Sequence, residues 1–341
     1  MNTFNTDRVF IIAELSANHN GSMDTALETI RAAKRAGADA VKLQTYTADT
    51  LTLDSQKEDF IISNGSIWDG LNYYQLYKKA YTPWEWHKRL FEEARINDLI
   101  CFSSPFDPTA VDFLETLDNP IYKIASFEIT DIPLIEYIAS KGKPVIMSTG
   151  IATLEDITLA LQTIKSQGVN EIALLKCTSS YPAPMNEANL RMIHDFKERY
   201  GVVPGLSDHT LGHVAPIVAV TQGAKVIEKH LILDKKIGGP DASFSLTEKE
   251  FKHMVDAVRQ AELAIGEVNY TLTSKQKKAR DFSRSLYVVE DVKKGEAITK
   301  FNVRSIRPGF GMHPKHFPEI LGKTFNQTVE KGTPLKKFML D

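Results

Sequence analysis

Cysteine is scarce in this chain. Cys101 and Cys177 are its two cysteines, and both sit inside apolar runs. That usage excludes a disulfide-stapled secreted scaffold and suits a reducing compartment. An excess of charge of one sign is also missing. Lys and Arg number 41 against 43 Asp and Glu, for a formal net charge of −2, so the whole molecule has no field that would gather nucleic acid or an anionic surface. The basic cluster "KQKK", Lys275 to Lys278, reads as part of a solvated linker. Long hydrophobic runs are absent too. None reaches the length that spans a bilayer, and the opening "MNTFNTDRVF" lacks the apolar stretch of a signal peptide. The expectation is a cytoplasmic protein without nucleic-acid or membrane partners. At 341 residues, 43% of them hydrophobic, the chain has material for one large domain and a smaller one.

What is present is a regular alternation. Strand-like runs occur at "VFIIAELS" (Val9–Ser16), "ADAVKLQTY" (Ala38–Tyr46), "LICFSSPF" (Leu99–Phe106), "IYKIAS" (Ile121–Ser126), "PVIMSTG" (Pro144–Gly150), "EIALLKCTS" (Glu171–Ser179), "VVPGLSDH" (Val202–His209) and "AKVIEKH" (Ala224–His230). Most are continuous apolar runs rather than strict alternations, which fits strands buried on both faces of a parallel sheet. Between them lie helical patterns. "SMDTALETIRAAKRAGA" starts on Ser22 and Asp24, repeats apolar residues at Ala26, Ile30 and Ala33, and stops at Gly37. "LEDITLALQTIKSQG" and "EKEFKHMVDAVRQAELAIG" behave alike. Eight strands, most followed by a helix, over residues 1–266 predict an α/β protein with a (β/α)8 TIM barrel. An open doubly wound sheet is the alternative, weakened because no Gly-rich fingerprint follows the first strand.

The tail differs. A polar linker over 267–282 leads to a small domain at 283–341, with short segments punctuated by Gly and Pro. "VKKGEAITKFNV" (Val292–Val303) matches "VEKGTPLKKFML" (Val329–Leu340) at Val, Lys-Gly, Ile/Leu, Lys-Phe and Val/Leu. Either two Lys-Gly turns coincide by chance, or the domain has pseudo-twofold halves.

Barrel enzymes gather their catalytic groups at the C-terminal ends of the strands. Here those ends carry Glu14; Lys42 and Gln44; Ser104; Lys123, Ser126 and Glu128; Ser148; Lys176 and Tyr181; Ser207 and His209; and Glu228 and His230. Buried lysines need anionic partners. Three arrangements meet that need: internal salt bridges to Glu14, Glu128 or Glu228, a pocket for phosphate and carboxylate lined by serine hydroxyls, or a Schiff-base aldolase on Lys123 or Lys176. His209 and His230 close adjacent strands. They are either hydrogen-bonded structural residues or a metal pair that leaves positions open for water and substrate.

Taken in order, "AELSANHNGS", "VKLQTY", "FSSPF", "YKIAS", "STGIAT", "KCTSSYP", "GLSDHTLG" and "EKH" resemble the sialic acid synthase family. Its members condense phosphoenolpyruvate with an acylamino sugar. The tail, "RSLYVVEDVKKGE…VRSIRPGFGMHP…LGK", resembles the family's C-terminal antifreeze-like (SAF, β-clip) domain. "AELSANH" and "QTYTADTLTLD" look most like the branch that makes pseudaminic acid, with the neuraminate and legionaminate branches as alternatives.

The resemblance implies roles for particular residues. His209 and His230 match ligands of a divalent metal, Mn2+ or Mg2+. Lys42, Ser104, Lys123, Ser126, Ser148 and Ser207 match the phosphoenolpyruvate pocket. Glu14 and Glu128 match acidic catalytic residues near the reacting carbons, and Gln44, Tyr181 and Asp241 match the sugar side. Arg307, in "RPG", matches an arginine that one subunit of a domain-swapped homodimer places over its partner's barrel. A sugar-contacting asparagine falls in the stretch around Asn64. Ser104 replaces a threonine and keeps its hydroxyl. A non-catalytic carbohydrate-binding or ice-binding protein, and a Schiff-base aldolase, are the readings from other classes.

Overall fold

The computed structural model describes residues 3–4, 7–63, 65 and 67–341. Two compact units emerge, Met1–Gly266 and Glu267–Asp341. The first contains eight parallel strands: β1 (Phe10–Glu14), β2 (Ala40–Thr45), β3 (Ile100–Pro105), β4 (Tyr122–Ile124), β5 (Val145–Ser148), β6 (Ile172–Cys177), β7 (Val203–Asp208) and β8 (Val226–Ile232). Each pairs with the next, and β8 returns to β1 with Ile12 opposite Glu228 and Glu14 opposite His230. These eight strands close into a barrel, and a two-residue strand, Leu246–Thr247, adds in parallel to the end of β8.

Local chemistry sets the helix ends. Ser22 accepts the amide of Thr25 to start Met23–Ala36, and Gly37 ends that helix at φ +89, a conformation open to a residue without Cβ. Thr153 with Asp156 and Thr247 with Glu250 form capping boxes that start Leu154–Ser166 and Glu248–Ile265. The segment between β2 and β3 also folds, with Asn72 capping a helix over Tyr73–Ala80.

Side chains alternate along a strand, and this alternation builds the site. The lower interior of the barrel is apolar, formed by Ile12, Ala40, Phe102, Ile121, Ile146, Leu175 and Val226, with Phe4 and Phe10 packed among them. Two residues further along the same strands come Glu14, Lys42, Ser104, Lys123, Ser148, Cys177 and Glu228. The interior therefore changes from oil to charge within one strand repeat. Gly205 is required by the crowding inside: a Cβ there would meet the Leu175 side chain at 2.4 Å and the Val226 carbonyl at 2.6 Å.

The second unit is a small β structure. Its hairpin pairs Ser285–Val288 with Val303–Ile306. The sequence repeat corresponds to a pseudo-twofold axis. Val292 and Val329 exchange both backbone hydrogen bonds at 2.9 Å. Gly295 N reaches Phe325 O at 2.7 Å, just as Gly332 N reaches Val288 O at 2.8 Å. Leu286, Val288, Ile298, Val303, Phe325 and Leu335 fill the core between the halves. Within the stretch expected as a linker, Ser274–Ala279 is a short helix because Thr273 and Gln276 form a capping box.

Candidate active site

A cavity of about 420 Å³ opens at the C-terminal ends of the strands. Lys42, Gln44, Lys123, Ser126, Glu128, Ser148, Tyr181, Ser207, His209, His230 and Asp241, all expected from the sequence, line it together. Glu14 and Ser104 lie behind this surface, buried, and reach it through Lys42.

The floor is an ionic ring. Lys42 Nζ lies 2.5 Å from Glu14 Oε2 and 3.7 Å from Glu228 Oε1. Lys123 Nζ lies 3.5 Å from the same Glu228 oxygen. Ser207 Oγ donates to Glu228 Oε1 at 3.1 Å, and Gln44 Nε2 donates to Glu14 Oε1 at 3.1 Å. Salt bridges and a polar pocket are therefore both present, built from the same lysines. Burial raises Glu14 to about 7 despite the neighbouring Lys42. Burial lowers Lys123, with Glu228 opposing it. Glu228 Oε2 and Ser148 Oγ are buried without a hydrogen-bond partner, so the ring retains unused polar capacity facing the cavity.

Glu128 stands apart from that ring. It follows β4 in the short turn Ser126–Glu128, and its Oε2 is buried without a partner. Burial raises its carboxyl to about 7. Beside it, Ser126 Oγ accepts the Gly150 amide at 3.0 Å. Gly150 sits under Ser126 and Ser179, whose Oγ atoms would lie 2.8 and 2.0 Å from an added Cβ.

The two histidines meet. Their ring centroids are 5.3 Å apart. His209 Nδ1 lies 3.2 Å from Thr178 O, which leaves Nε2 as its free nitrogen. His230 Nδ1 is buried without a hydrogen-bond partner, and Asp241 Oδ2 lies 3.9 Å from it. Burial, with His209 next, pushes His230 well below its ordinary value, so it is neutral. Among the described residues no group of three His, Cys, Asp or Glu side chains is placed to hold an ion. A metal bound by this pair would complete its coordination with water and substrate oxygens.

Tyr181, Phe244 and Trp68 form the wall beyond the histidines. Tyr181 lies 4.6 Å from His209, 5.1 Å from Phe244 and 5.3 Å from Trp68, centroid to centroid. Tyr46, Tyr77 and Phe106 continue it, with Tyr46 5.2 Å from Phe106. Sequence reasoning found Tyr181 but missed the other aromatics: Tyr46, Trp68 and Tyr77 come from the connection between β2 and β3, Phe106 follows β3 and Phe244 lies beyond β8, so no period links them. It also gave Glu228 no role beyond a salt-bridge partner and gave Ser16 no chemical role, although Ser16 lines the cavity and hydrogen-bonds Asp241.

Two lysines at strand ends belong elsewhere. Lys176 binds Cys177 O at 2.5 Å and Thr178 Oγ1 at 3.3 Å, and it does not line the cavity. The strand alternation turns it away, which removes it as a Schiff-base candidate. Lys229 is paired with Asp208 at 2.5 Å. Asn64 lies outside the described residues. Arg307 belongs to the second unit and is exposed there, on a loop pinned by Ser285, whose Oγ donates to Pro308 O at 2.6 Å and accepts the Gly311 amide at 2.8 Å.

Comparison with known proteins agrees with this geometry. Residues 29–270 match the NeuB family and residues 283–341 match the SAF domain. The chain is 52% identical over 335 residues to a pseudaminic acid synthase of Campylobacter jejuni (strain 81-176), covering 98% of this chain and 97% of that one. It is 48% identical over 326 residues to the pseudaminic acid synthase of Helicobacter pylori (strain 26695), covering 95% and 96%. The crystal structure of an N-acetylneuraminic acid synthetase from Leptospira borgpetersenii superposes with a TM-score of 0.71 at 30% identity, over 80% of this chain and 90% of that one. A charged barrel mouth with a histidine pair, a following domain of internal repeats and end-to-end similarity of sequence lead to one assignment: the chain belongs to the NeuB family, with a SAF domain after its barrel.

Proposed function

We propose that the chain condenses phosphoenolpyruvate with 2,4-diacetamido-2,4,6-trideoxy-β-L-altropyranose and water, giving pseudaminic acid and phosphate. The observation that carries this reading is the Lys42–Glu228–Lys123 ring facing a cavity shared with the two histidines. The likeness to pseudaminic acid synthases over almost the full chain selects the sugar. C3 of phosphoenolpyruvate attacks the aldehyde carbon of the open-chain sugar. Water adds at C2, and phosphate departs with the oxygen that joined it to that carbon.

The residues divide this work. Lys42 and Lys123 hold the phosphate and carboxylate charges, and Ser104, Ser126, Ser148 and Ser207 supply hydroxyls to the same anions. Glu128, with a free buried oxygen, takes the proton of the attacking water. Glu14, tied to Lys42 and Gln44, holds the lysine in place. Gln44, Tyr181 and Asp241 face the sugar, and the wall of Tyr46, Tyr77 and Phe106 offers an apolar surface for its C6 methyl. The unpartnered nitrogen of His230 and the free nitrogen of His209 fit a divalent cation, Mn2+ or Mg2+. Such an ion would polarise the sugar's carbonyl oxygen.

Phe127, Ile151, Leu154, Leu211 and Val214, on turns and helix starts beyond the C-terminal strand ends, are each about half exposed. An apolar rim of this kind suits a covering partner. We assign that partner to a second copy whose SAF domain brings Arg307 to the site in a twofold dimer. The free, buried Cys101 and Cys177 suit the cytoplasm.

Phosphate release with each candidate sugar tests the reaction. The altrose is expected to turn over fastest. Faster turnover of N-acetylmannosamine would move the assignment to another branch, and absence of phosphate release with any acylamino sugar would remove it.

A further inference from the structure

Just beyond β1 the chain turns through residues Ser16–His19. Ser16 sits there at φ +43. That left-handed region is open to glycine and strained for serine, so something must hold serine in it. The residue is buried, 5% exposed, and lines the cavity. Its Oγ donates to Asp241 Oδ2, and the Ala17 amide approaches the same oxygen at 3.4 Å.

The backbone of Asp241 is fastened by a separate route. Ser245 Oγ donates to Asp241 O at 2.7 Å and accepts Asn18 Nδ2 at 2.8 Å. Asn18 Nδ2 also donates to Leu231 O at 2.9 Å. Residues 16–18 thus grip the 241–245 segment twice. Asn18 fixes where its main chain runs, whereas the Ser16 hydroxyl fixes only where the carboxylate points. A smaller residue at 16 would leave the Asn18 grip intact and relieve the backbone.

We propose that Ser16 is a positioning residue for the acceptor sugar: its hydroxyl sets the Asp241 carboxylate in the orientation that receives the sugar, and the left-handed backbone persists for that purpose. This rests on the reading that places the sugar beside Asp241. Phosphoenolpyruvate, held at the lysine ring, is independent of this contact.

The test uses the full-length enzyme with Ser16→Gly, Ser16→Ala, Asp241→Ala and the Ser16→Gly/Asp241→Ala double variant. Ser16→Gly is expected to keep or raise the Tm, because glycine relaxes the turn. It should also raise KM for the sugar about tenfold through the lost hydrogen bond to a charged group, with KM for phosphoenolpyruvate unchanged within about twofold. Ser16→Ala should show the same kinetic loss with a lower Tm. In the Asp241→Ala background, Ser16→Gly should cost nothing further. An unchanged sugar KM in Ser16→Gly, equal rises in both KM values, or losses that multiply in the double variant would each overturn the proposal. Wild-type turnover decides the underlying reading: its absence overturns both, whereas wild-type turnover with an indifferent Ser16→Gly overturns the proposal alone.

Discussion

In the SAF unit the buried polar side chains are satisfied close at hand. Ser285 serves Pro308 O and the Gly311 amide, and Asn302 donates to Ala297 O at 2.9 Å while accepting the Thr299 amide at 2.8 Å. In the barrel mouth, Glu128, Ser148, Glu228 and His230 each carry a buried atom without a partner. Unmet hydrogen-bonding capacity is costly, and a fold tolerates it where a substrate or ion will meet it. The contrast therefore separates a balanced scaffold from an unbalanced site. It also orders the experiments, because variants in the unbalanced region should damage turnover and variants in the balanced one should damage stability.

The largest effect is expected at the histidines. His209→Ala and His230→Ala should each reduce kcat by a factor of roughly a thousand or more, as removal of a Lewis acid would, while melting as the wild type does. Chelation of the wild type should reproduce the loss, and added Mn2+ or Mg2+ should reverse it. Full activity in metal-depleted variants would transfer the pair to the structural side of the comparison.

Within the barrel wall the same contrast recurs between lysines. Lys229 and Asp208 face each other with side chains 0% and 1% exposed, a closed pair. Lys123 shares Glu228 with Lys42 and faces the cavity. Lys123→Met should lower kcat/KM for phosphoenolpyruvate by about two orders of magnitude or more, since a charged hydrogen bond contributes about 1.5–3 kcal/mol and a whole anion clamp is lost. Lys229→Met should leave that constant nearly unchanged in the folded protein but destabilise it by about 3–5 kcal/mol, because Asp208 is left buried and uncompensated. A reversed pattern, measured by urea unfolding and initial rates, would break the comparison at its centre.

The sequence made much of this legible and the rest illegible for a physical reason. Eight apolar runs, the Ser22 and Gly37 signals and the paired "VKKG" and "VEKG" segments are local, and they survive as strands, caps and the Val292–Val329 axis. Which lysine faces inward depends on strand parity, so Lys176 and Lys123 look alike in the chain and differ only once the barrel closes. Glu228 acquires its role from two lysines that are remote in sequence, and the aromatic wall is assembled from residues as far apart as Tyr46 and Phe244. Spacing cannot carry information that exists only after closure.

Glu128 sharpens the comparison through pH. Its carboxyl is raised from 4.5 to about 7 by burial. Acting as a base it must be ionised, so the rate should climb with pH through about 7, and Glu128→Gln should lower kcat by about 10²- to 10⁴-fold and flatten that limb. Stability moves the other way. The folded state binds this proton more tightly than the unfolded state, so the contribution is fully present below about 4.5 and lost as pH rises through about 7. Glu14, also raised to about 7, shares the trend. Thermal melts of Glu128→Gln against pH should therefore show a shallower decline, not none.

A smaller effect tests whether the balanced unit also serves the site. Arg307→Ala and His230→Ala, each inactive alone, should recover activity when mixed after reversible dissociation. A heterodimer joins one intact barrel to one intact tail, so about half the wild-type activity per dimer is expected under twofold symmetry. No recovery in verified heterodimers, or a fully active monomer, would confine the catalytic apparatus to the barrel.

The smallest effect probes the balance itself. Gly295 and Gly332 hold equivalent places in the repeat, both at φ +88, and an added Cβ would meet nothing within 4 Å at either. Alanine there is opposed by the backbone conformation alone, at about 1–2 kcal/mol. If the halves are equivalent, Gly295→Ala and Gly332→Ala should lower the protection of the Val292 and Val329 amides equally, within a few tenths of a kcal/mol, as read by native-state hydrogen exchange. Turnover should be unaffected by either. Protection that falls much further for one glycine than for the other would mean that one half carries the domain. The SAF unit would then be as uneven as the barrel mouth, and its imbalance would have to be explained by what that half touches.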